Sequence, residues 1–599
     1  MGKKRFFIGF FNFFFLNLLF SYLLGLFYFP FIKSGIFLSV FPYISNFALI
    51  YFVIFLIFLI IAVFTKGYFF WKFFLSVFFA LFHVFTLVDV FVFHFFRFHI
   101  NSLALNVLFT SGGWETLGIG FKVLFLLFVL VSIFFVSEIF IFKLFFEKQK
   151  VFIKKAGKIF IILFLFILAE KILYIYADVK NYVAVLENAL VFPYGRPVTA
   201  KKILSKFGIK PSKKVSIRVK ENSSLKYPIK KLKFIKKSNY PNIVIILVDS
   251  FRYDMFSKET SPEIYRFAKK ALYFANHYSG GNCSRFGVFS IFYGVYGTLW
   301  FNFLGERREP ILMEELRNLG YEFKIYSASK LTSPEFRQTC FVNVRDEDVL
   351  DDFKTKNKVL RDRKIAESFI DFLDKKKNNR PFFAFLFFDC PHGTYSYPPE
   401  FEKFKPARNS VNYLEINPTN VNYYFNMYKN AIFYDDWLTG KILKKLEEKG
   451  FLKNTIVFIS GDHGEEFFEH GFYGHNGAFT QEQTKVPLIL YIPDTSGRKI
   501  DKLTSHLDIV PTVFEILGCK NPSSDYSHGI SLLSRKKRRW VLIASWDRFA
   551  IRDDLIYVVP YRNRFAFSQT FDENYKPIER KISGKVLTEV IINTRKLLE

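Results

Sequence analysis

The sequence predicts an N-terminal transmembrane domain of five helices, followed by an extracytoplasmic α/β domain in which helices sandwich a mostly parallel sheet. Apolar residues are concentrated at the front of the 599-residue chain, strand and helix patterns alternate after residue 240, and two distant apolar strands both end in an acidic residue. Such alternation is typical of a parallel sheet covered on both faces. We assign residues 1–180 to the membrane domain, 181–240 to a basic juxtamembrane connector and 241–599 to the α/β domain.

Five apolar segments in the first domain are long enough to cross a bilayer, which takes about 20 residues in a helix. The first segment is longer than the apolar core of a signal peptide and lacks an evident cleavage site, so we interpret it as a span. The predicted spans are residues 6–29, 46–65, 68–96, 122–146 and 157–177.

Basic residues mark the connections that stay in the cytoplasm. They precede the first span (Lys3, Lys4 and Arg5), follow the second (Lys66 and Lys72) and fill the stretch 148–158 between the last two spans. This distribution predicts a cytoplasmic N-terminus and a C-terminal domain outside the membrane, and we expect that membrane to be the bacterial cytoplasmic (inner) membrane. We expect the external loop 99–120 to lie in the membrane interface.

Ionisable residues inside the predicted spans allow two interpretations. Asp89, with the nearby His83 and His94, and also Glu138, Glu170 and Lys171, lie at or near membrane depth. Such groups mark functional sites by default. The alternative, which we favour, is that they pair between helices or lie close enough to the outer interface to be hydrated.

The chain carries a formal net charge of +30, and part of it lies in a Lys-rich segment from Lys201 to Lys237. Near a membrane such a segment attracts anionic lipid head groups, about 1 kcal/mol per basic residue. A solvated tether is an equally good interpretation. We do not expect a nucleic-acid partner.

The most informative segment is Ile456–Gly477, in which an apolar strand ends by presenting Asp462 and His463 side by side. A carboxylate beside an imidazole suits Zn or Mn better than Ca. A second buried-type strand, 242–248, ends at Asp249. Because sites in α/β sheets assemble at the carboxyl ends of strands, we expect the two strand ends to meet.

Between these strands the sequence GGNCSRFG, residues 280–287, predicts a glycine-rich turn that opens a helix. Ser284 lies near the first helical residue. Helix N-termini favour anions and expose backbone donors, so phosphate or sulfate is the expected guest.

With GDHGE at 461–465 and HLDIVPT at 506–512, these features resemble the sulfatase and alkaline phosphatase superfamily, and imply a sulfatase-like fold for residues 241–599. The pattern is most similar to membrane-anchored phosphoethanolamine and phosphoglycerol transferases, including lipoteichoic acid synthase, and to inner-membrane sulfatase-like proteins that monitor lipopolysaccharide. The resemblance implies one divalent metal, Zn or Mn, held by Asp249, Asp462, His463 and Ser284. It also makes Ser284 the nucleophile.

Two histidines lie at matching places. His392 follows an apolar strand, and His475 lies in GHNG; the resemblance implies that both bind substrate. Sulfatases carry CxPSR at the nucleophile, whereas this chain has Cys283 followed directly by Ser284, so Cys283 is a poor candidate for formylglycine. We expect it to be a buried or paired thiol.

The function we predict is hydrolysis or transfer of phosphodiester groups, phosphoethanolamine or phosphoglycerol derived from phospholipids, at the outer face of the membrane. One alternative is a lipid-sensing, regulatory protein of envelope homeostasis with weak or no catalysis; another is a sulfuric ester hydrolase. Phospholipid or glycolipid head groups are the expected partners, together with a possible membrane protein. The last residues, 540–599, are predicted to add edge strands and a terminal helix.

Overall fold

A computed structural model describes residues 3–32, 35–65, 68–100, 105, 121–148, 156–180, 182–195, 224–413, 415–560 and 569–598. The chain divides into two compact units. The first is built on residues 1–104 and 119–214, and the second on residues 215–562 and 568–599. The expected interfacial loop 99–120 and the Lys-rich segment 201–237 lie largely outside the described residues.

The first unit contains five helices that are long and apolar enough to cross a membrane, as predicted. The second helix begins at Ile36, ten residues before the predicted start of its span, and it contains Pro42. Spanning helices tolerate proline where neighbouring groups satisfy the freed backbone. The helix bounds are Lys3–Gly25, Ile36–Phe64, Tyr68–Phe96, Phe121–Phe142 and Ala156–Lys180, and a shorter helix follows at Val183–Val191.

Glu138 takes part in a buried polar network that joins three of the spans. Its carboxylate accepts a hydrogen bond from Asn17 Nδ2 at 3.1 Å and lies 3.5 Å from His83 Nε2. His83 also contacts Asn17 Oδ1 at 2.7 Å. The predicted pairing between helices is confirmed for Glu138.

The other ionisable residues of the spans also have partners. Glu170 lies 2.7 Å from Lys171 and accepts a hydrogen bond from Ser45, on another helix, at 3.0 Å. Asp89 contacts His99 at 2.7 Å. Pairing removes the penalty of a lone charge in a dry environment, so these contacts are sufficient reason for the charges to be there.

The second unit is organised around an eight-stranded sheet. Its strands are β1 Asn242–Val248, β2 Leu272–Phe274, β4 Glu322–Ser327, β5 Val349–Leu350, β6 Phe382–Phe388, β7 Thr455–Gly461, β10 Leu488–Tyr491 and β11 Arg498–Ile500. Their order in the sheet is β11-β2-β10-β7-β1-β6-β4-β5. The central strands run parallel, while β10 runs antiparallel to both β2 and β7, so the prediction of a mostly parallel sheet is confirmed.

Helices cover this sheet, and all seven residues of β1 are buried, as expected for a strand covered on both faces. Alternate β1 residues, such as Ile245, share one core with the helix that begins at Ser284. The main helices are Pro262–Ala268, Ser284–Tyr293, Trp300–Glu306, Ile311–Asn318, Lys358–Lys375, Val421–Glu448, Ile509–Leu517 and Gly584–Lys596.

The C-terminal strands do not edge the large sheet, and that prediction is wrong. They form their own four-stranded antiparallel sheet, in sequence order. The turns after 544 and 552 are short, so each strand closes on its chain neighbour at little entropic cost. These strands are β13 Val541–Ala544, β14 Arg548–Arg552, β15 Ile556–Pro560 and β16 Gln569–Phe571; the terminal helix was predicted correctly.

Two further two-stranded pairs complete the unit, and the four cysteines are all free thiols. The pairs are formed by β3 His277–Tyr278 with β12 Thr504–Ser505, and by β8 Glu466–Phe467 with β9 Tyr473–Gly474.

Candidate active site

Three adjacent strands bring acidic residues to one edge of the large sheet. β1 lies between β6 and β7, and Val248 is in register with both Phe388 and Gly461. The next residue of each strand is an aspartate: Asp249, Asp389 and Asp462. The predicted meeting of distant strand ends is present.

Asp249, Asp462 and His463 form a compact cluster of metal-ligand type. His463 Nε2 lies 3.7 Å from Asp249 Oδ1 and 3.4 Å from Asp462 Oδ2, and one ligand atom of each residue lies within 4.8 Å of the others. All three side chains are buried. Burial, together with the charges of Asp462 and Asp389, raises the pKa of Asp249 well above its ordinary value.

The hydrogen bonds of the cluster leave its inner atoms free. Asp462 Oδ1 accepts from the backbone N–H groups of Ser250 and His463, whereas the buried Oδ2 has no partner. His463 Nδ1 lies 2.8 Å from the Gly464 carbonyl oxygen, which can only accept. The proton therefore lies on Nδ1, and Nε2 presents a lone pair to the two carboxylates.

Ser284 lies next to this cluster and adds a hydroxyl group to it. Its Oγ lies 3.1 Å from His463 Nε2, and it is the first residue of its helix. The helix approaches closely because Gly287 has no side chain; a Cβ there would be 2.2 Å from the Asp462 carbonyl oxygen. Ser284 is half-buried, so a substrate can reach it.

These donors fit a divalent cation. Two carboxylates, one imidazole nitrogen and one hydroxyl match the donor types that Zn and Mn accept, and an orphaned buried carboxylate oxygen is costly without a cation or hydrogen-bond partner. The structure brings together all four predicted ligands, Asp249, Ser284, Asp462 and His463.

His475 stands beside this cluster and is held by Glu465. The His463 and His475 rings lie 4.2 Å apart, and His475 Nδ1 lies 2.7 Å from Glu465 Oε2. Burial acts to raise the pKa of Glu465, but His475 and the hydrogen bond from Tyr395 outweigh it and lower that pKa. The carboxylate accepts from Nδ1 of His475 and fixes the orientation of the ring.

His392 lies on the same side, with its ring 5.4 Å from that of His475. Lys358 Nζ lies 3.4 Å from His392 Nδ1 and 3.1 Å from Asp389 Oδ2. Lys358 Nζ also donates to the carbonyl oxygens of His392 at 3.2 Å and Gly393 at 3.3 Å, so it fixes the position of this segment. Burial and the charge of Lys358 lower the pKa of His392 well below its ordinary value, so the ring is neutral.

Comparisons with known proteins agree with this geometry. Residues 241–519 match the sulfatase family, and residues 7–234 match a domain of unknown function, DUF3413. These matches support a membrane sulfatase-like protein of the alkaline phosphatase superfamily.

Two similar proteins each match more than two thirds of this chain. It is 25% identical over 452 residues to the inner membrane protein YejM of Salmonella typhimurium, and the matched region covers 73% of this chain and 70% of YejM. It is 27% identical over 421 residues to an uncharacterized protein of Haemophilus influenzae, 68% of this chain and 64% of that protein. An arylsulfatase of Clostridium perfringens is 25% identical over 259 residues, 38% of this chain and 53% of that enzyme.

Sequence reasoning missed three residues of this sulfatase-like site. Asp389 follows a fully buried strand and could have been found by the same strand-end rule that identified Asp249. Glu465 lies within the GDHGE motif but had no assigned role. Lys358 had no local signal, because it reaches the site from the start of a helix that precedes β6.

The two residues that flank the nucleophile position are structural. Cys283 is buried, and burial raises the pKa of its thiol to about 12. The expectation of a buried thiol is confirmed. Arg285 is buried between the rings of Trp300 and Trp546, and it forms an ion pair with Glu335 at 3.0 Å.

Proposed function

We propose that the chain is a metal-dependent phosphodiester hydrolase or transferase that acts at the outer face of the inner membrane. The observation that carries the proposal is the position of Ser284 Oγ, 3.1 Å from His463 Nε2, at a helix N-terminus and beside two buried aspartates. Nucleophile, metal ligands and anion-binding backbone donors converge on one point.

Each side chain has a distinct role in this proposal. Asp249, Asp462, His463 and Ser284 would hold a divalent cation, which when bound would lower the pKa of the serine hydroxyl and offset charge on the phosphoryl oxygens. Ser284 Oγ attacks phosphorus, and the bond from phosphorus to the departing alkoxide breaks. Water or a second hydroxyl then takes the phosphoryl group from the serine.

The two histidines have different roles because they have different partners. Glu465 orients His475, and His475 in its neutral form accepts the proton that Ser284 Oγ loses and then returns it to the departing alkoxide. His392 lies beside Lys358 and is neutral, so it binds the transferred group by a hydrogen bond and gives up no proton.

Location and substrate follow from the membrane unit and its relatives. Five helices of spanning length, the basic residues at alternate connections and the similarity to an inner membrane protein support a multi-pass inner-membrane location with the sulfatase-like domain outside. Phospholipids are the most abundant phosphodiesters there, so we propose phosphoethanolamine or phosphoglycerol as the transferred group.

The test uses the full chain in detergent micelles, stripped of metal and reloaded with Mn²⁺ or Zn²⁺. We expect metal-dependent hydrolysis of bis(p-nitrophenyl) phosphate. Ser284→Ala should reduce kcat by at least about 1000-fold. Ser284→Thr keeps a hydroxyl and should retain partial activity, and Ser496→Ala, at an exposed serine after β10, serves as the control. Mass spectrometry of quenched wild-type protein should find the phosphoryl group on Ser284.

Other outcomes favour the alternatives. Stoichiometric metal without turnover of any ester would support a lipid-sensing protein. Faster turnover of p-nitrophenyl sulfate would support a sulfuric ester hydrolase. Full activity in Ser284→Ala would contradict the proposed nucleophile.

A further inference from the structure

A second cavity lies at the C-terminal side of the sulfatase-like unit, between the loop 519–540 and the terminal helix. Its volume is about 610 Å³, within the range of small-molecule sites. No residue of the metal cluster, and neither His392 nor His475, lines it. We call it the C-terminal cavity.

The walls of the C-terminal cavity are strongly basic. Five cationic side chains line it against two carboxylates. Lys536 and Lys537 are exposed and form no ion pair with any residue in the part of the chain that the structure describes. Arg539 lies 3.1 Å from Glu589, so one of the two carboxylates is already matched. The lining cations are Lys536, Lys537, Arg538, Arg539 and Lys596.

Arg538 is the buried part of this basic wall. Its side chain is only 8% exposed and pairs with Asp508, yet its Nε has no hydrogen-bond partner. Asp508 is fixed in turn, because it accepts from the backbone N–H groups of Ser505 and Ile530. A buried guanidinium N–H without a partner is unfavourable unless a ligand or water satisfies it.

Neutral polar groups complete the cavity. His528 stacks on Tyr296 with ring centroids 4.0 Å apart, and burial lowers the pKa of His528 to about 3, so it adds no charge. Hydroxyl groups, including those of Ser523 and Ser531, stand along the wall. Hydroxyls and basic side chains around one cavity are the donors that phosphate oxygens prefer.

From this arrangement we infer that the C-terminal cavity binds a phosphorylated ligand. Arg538 and Arg539 are paired with Asp508 and Glu589, so the three lysines Lys536, Lys537 and Lys596 face one remaining carboxylate, that of Glu515. A phosphate group balances this excess of positive charge, and the volume admits a phosphorylated sugar or a lipid head group. The inference does not rest on the proposed catalytic function, because the two sites share no residue. Its ligand could be soluble or part of a membrane lipid.

Binding should be measured on the full chain in detergent, by calorimetry with fructose 1,6-bisphosphate and pyrophosphate and by flotation with vesicles. Vesicles of phosphatidylcholine with and without phosphatidic acid separate a lipid source from a soluble one. We expect saturable binding of at least one probe that weakens about 10-fold in Lys536→Ala/Lys537→Ala. The double variant Lys581→Ala/Lys585→Ala removes the same charge outside the cavity and should bind normally.

Arg538→Gln tests the buried contact, but loss of its ion pair with Asp508 could unfold the protein. Its melting temperature is therefore measured alongside, and the exposed lysine pair decides the question if this variant is unstable. Binding should persist in Ser284→Ala, which separates this site from the metal cluster. No binding of any probe, or equal weakening in the two lysine double variants, would overturn the inference.

Discussion

Replacing Gly287 by alanine should displace the helix that carries the nucleophile. The added Cβ would lie 2.2 Å from the Asp462 carbonyl oxygen and 3.1 Å from Ser279 Oγ. A carbon and a backbone oxygen need more than 3 Å between them, so the helix must shift by about 1 Å. Such a shift separates Ser284 Oγ from His463 Nε2, now 3.1 Å away.

The expected magnitudes follow from this displacement. Overpacking a rigid site costs about 1–3 kcal/mol. A misplacement of about 1 Å at a reacting atom reduces the rate on the order of 100-fold. Gly305→Ala is the matched control, since it is also helical but has nothing within 4 Å of its added Cβ. It should be neutral or stabilise the protein by about 0.5–1 kcal/mol, because alanine favours helices.

Thermal unfolding and phosphodiesterase assays of the two variants, side by side, test this prediction. Gly287→Ala should melt several degrees below wild type and lose most of its activity, while Gly305→Ala keeps both. Equal melting temperatures and equal activities would refute the reasoning, because they would mean that the helix does not touch the strand end.

Three other changes probe the site. Asp462→Asn keeps the oxygen that accepts two backbone hydrogen bonds but removes the charge. A metal concentration of about 100 times the wild-type Kd should therefore stabilise the wild type against thermal unfolding by about 2.7 kcal/mol and leave the stability of the variant unchanged. Equal stabilisation of the two proteins would contradict the ligand assignment. Lys358→Met should raise KM more than it lowers kcat, because the variant loses the contacts of the ammonium group with His392 and Asp389. Unchanged KM and kcat would contradict a role of Lys358 in positioning His392. Glu465→Gln should reduce kcat/KM about 10-fold, because an uncharged amide makes a weaker hydrogen bond to His475 than the carboxylate does. Activity equal to that of a control Gln substitution at an exposed helix position, Glu367→Gln, would contradict this role of Glu465.

Local sequence was sufficient where a motif and a strand end coincide. Asp249, Asp462 and His463 follow apolar strands whose direction fixes where their side chains emerge, and Ser284 opens a helix after a glycine pair. The chemistry at these positions could be predicted because each signal lies within a few residues. The mostly parallel sheet followed from the same alternation.

Residues whose role depends on distant contacts could not be found this way. Lys358 reaches His392 across an intervening helix and strand, and no spacing rule connects them. The strand that begins at Val541 looks like any edge strand in sequence, because its partner is chosen by loop closure rather than by its own residues. Four of the five cations of the C-terminal cavity lie in one basic run and the fifth, Lys596, lies near the C-terminus, so only the fold shows that they line a common space.

The most direct test is anomalous diffraction from crystals of the protein grown with Mn²⁺ or Zn²⁺. A single anomalous peak about 2.0–2.2 Å from Asp249, Asp462, His463 Nε2 and Ser284 Oγ is the expected result. A peak elsewhere, or none at full metal occupancy in solution, would contradict the assignment of these four residues as the metal centre.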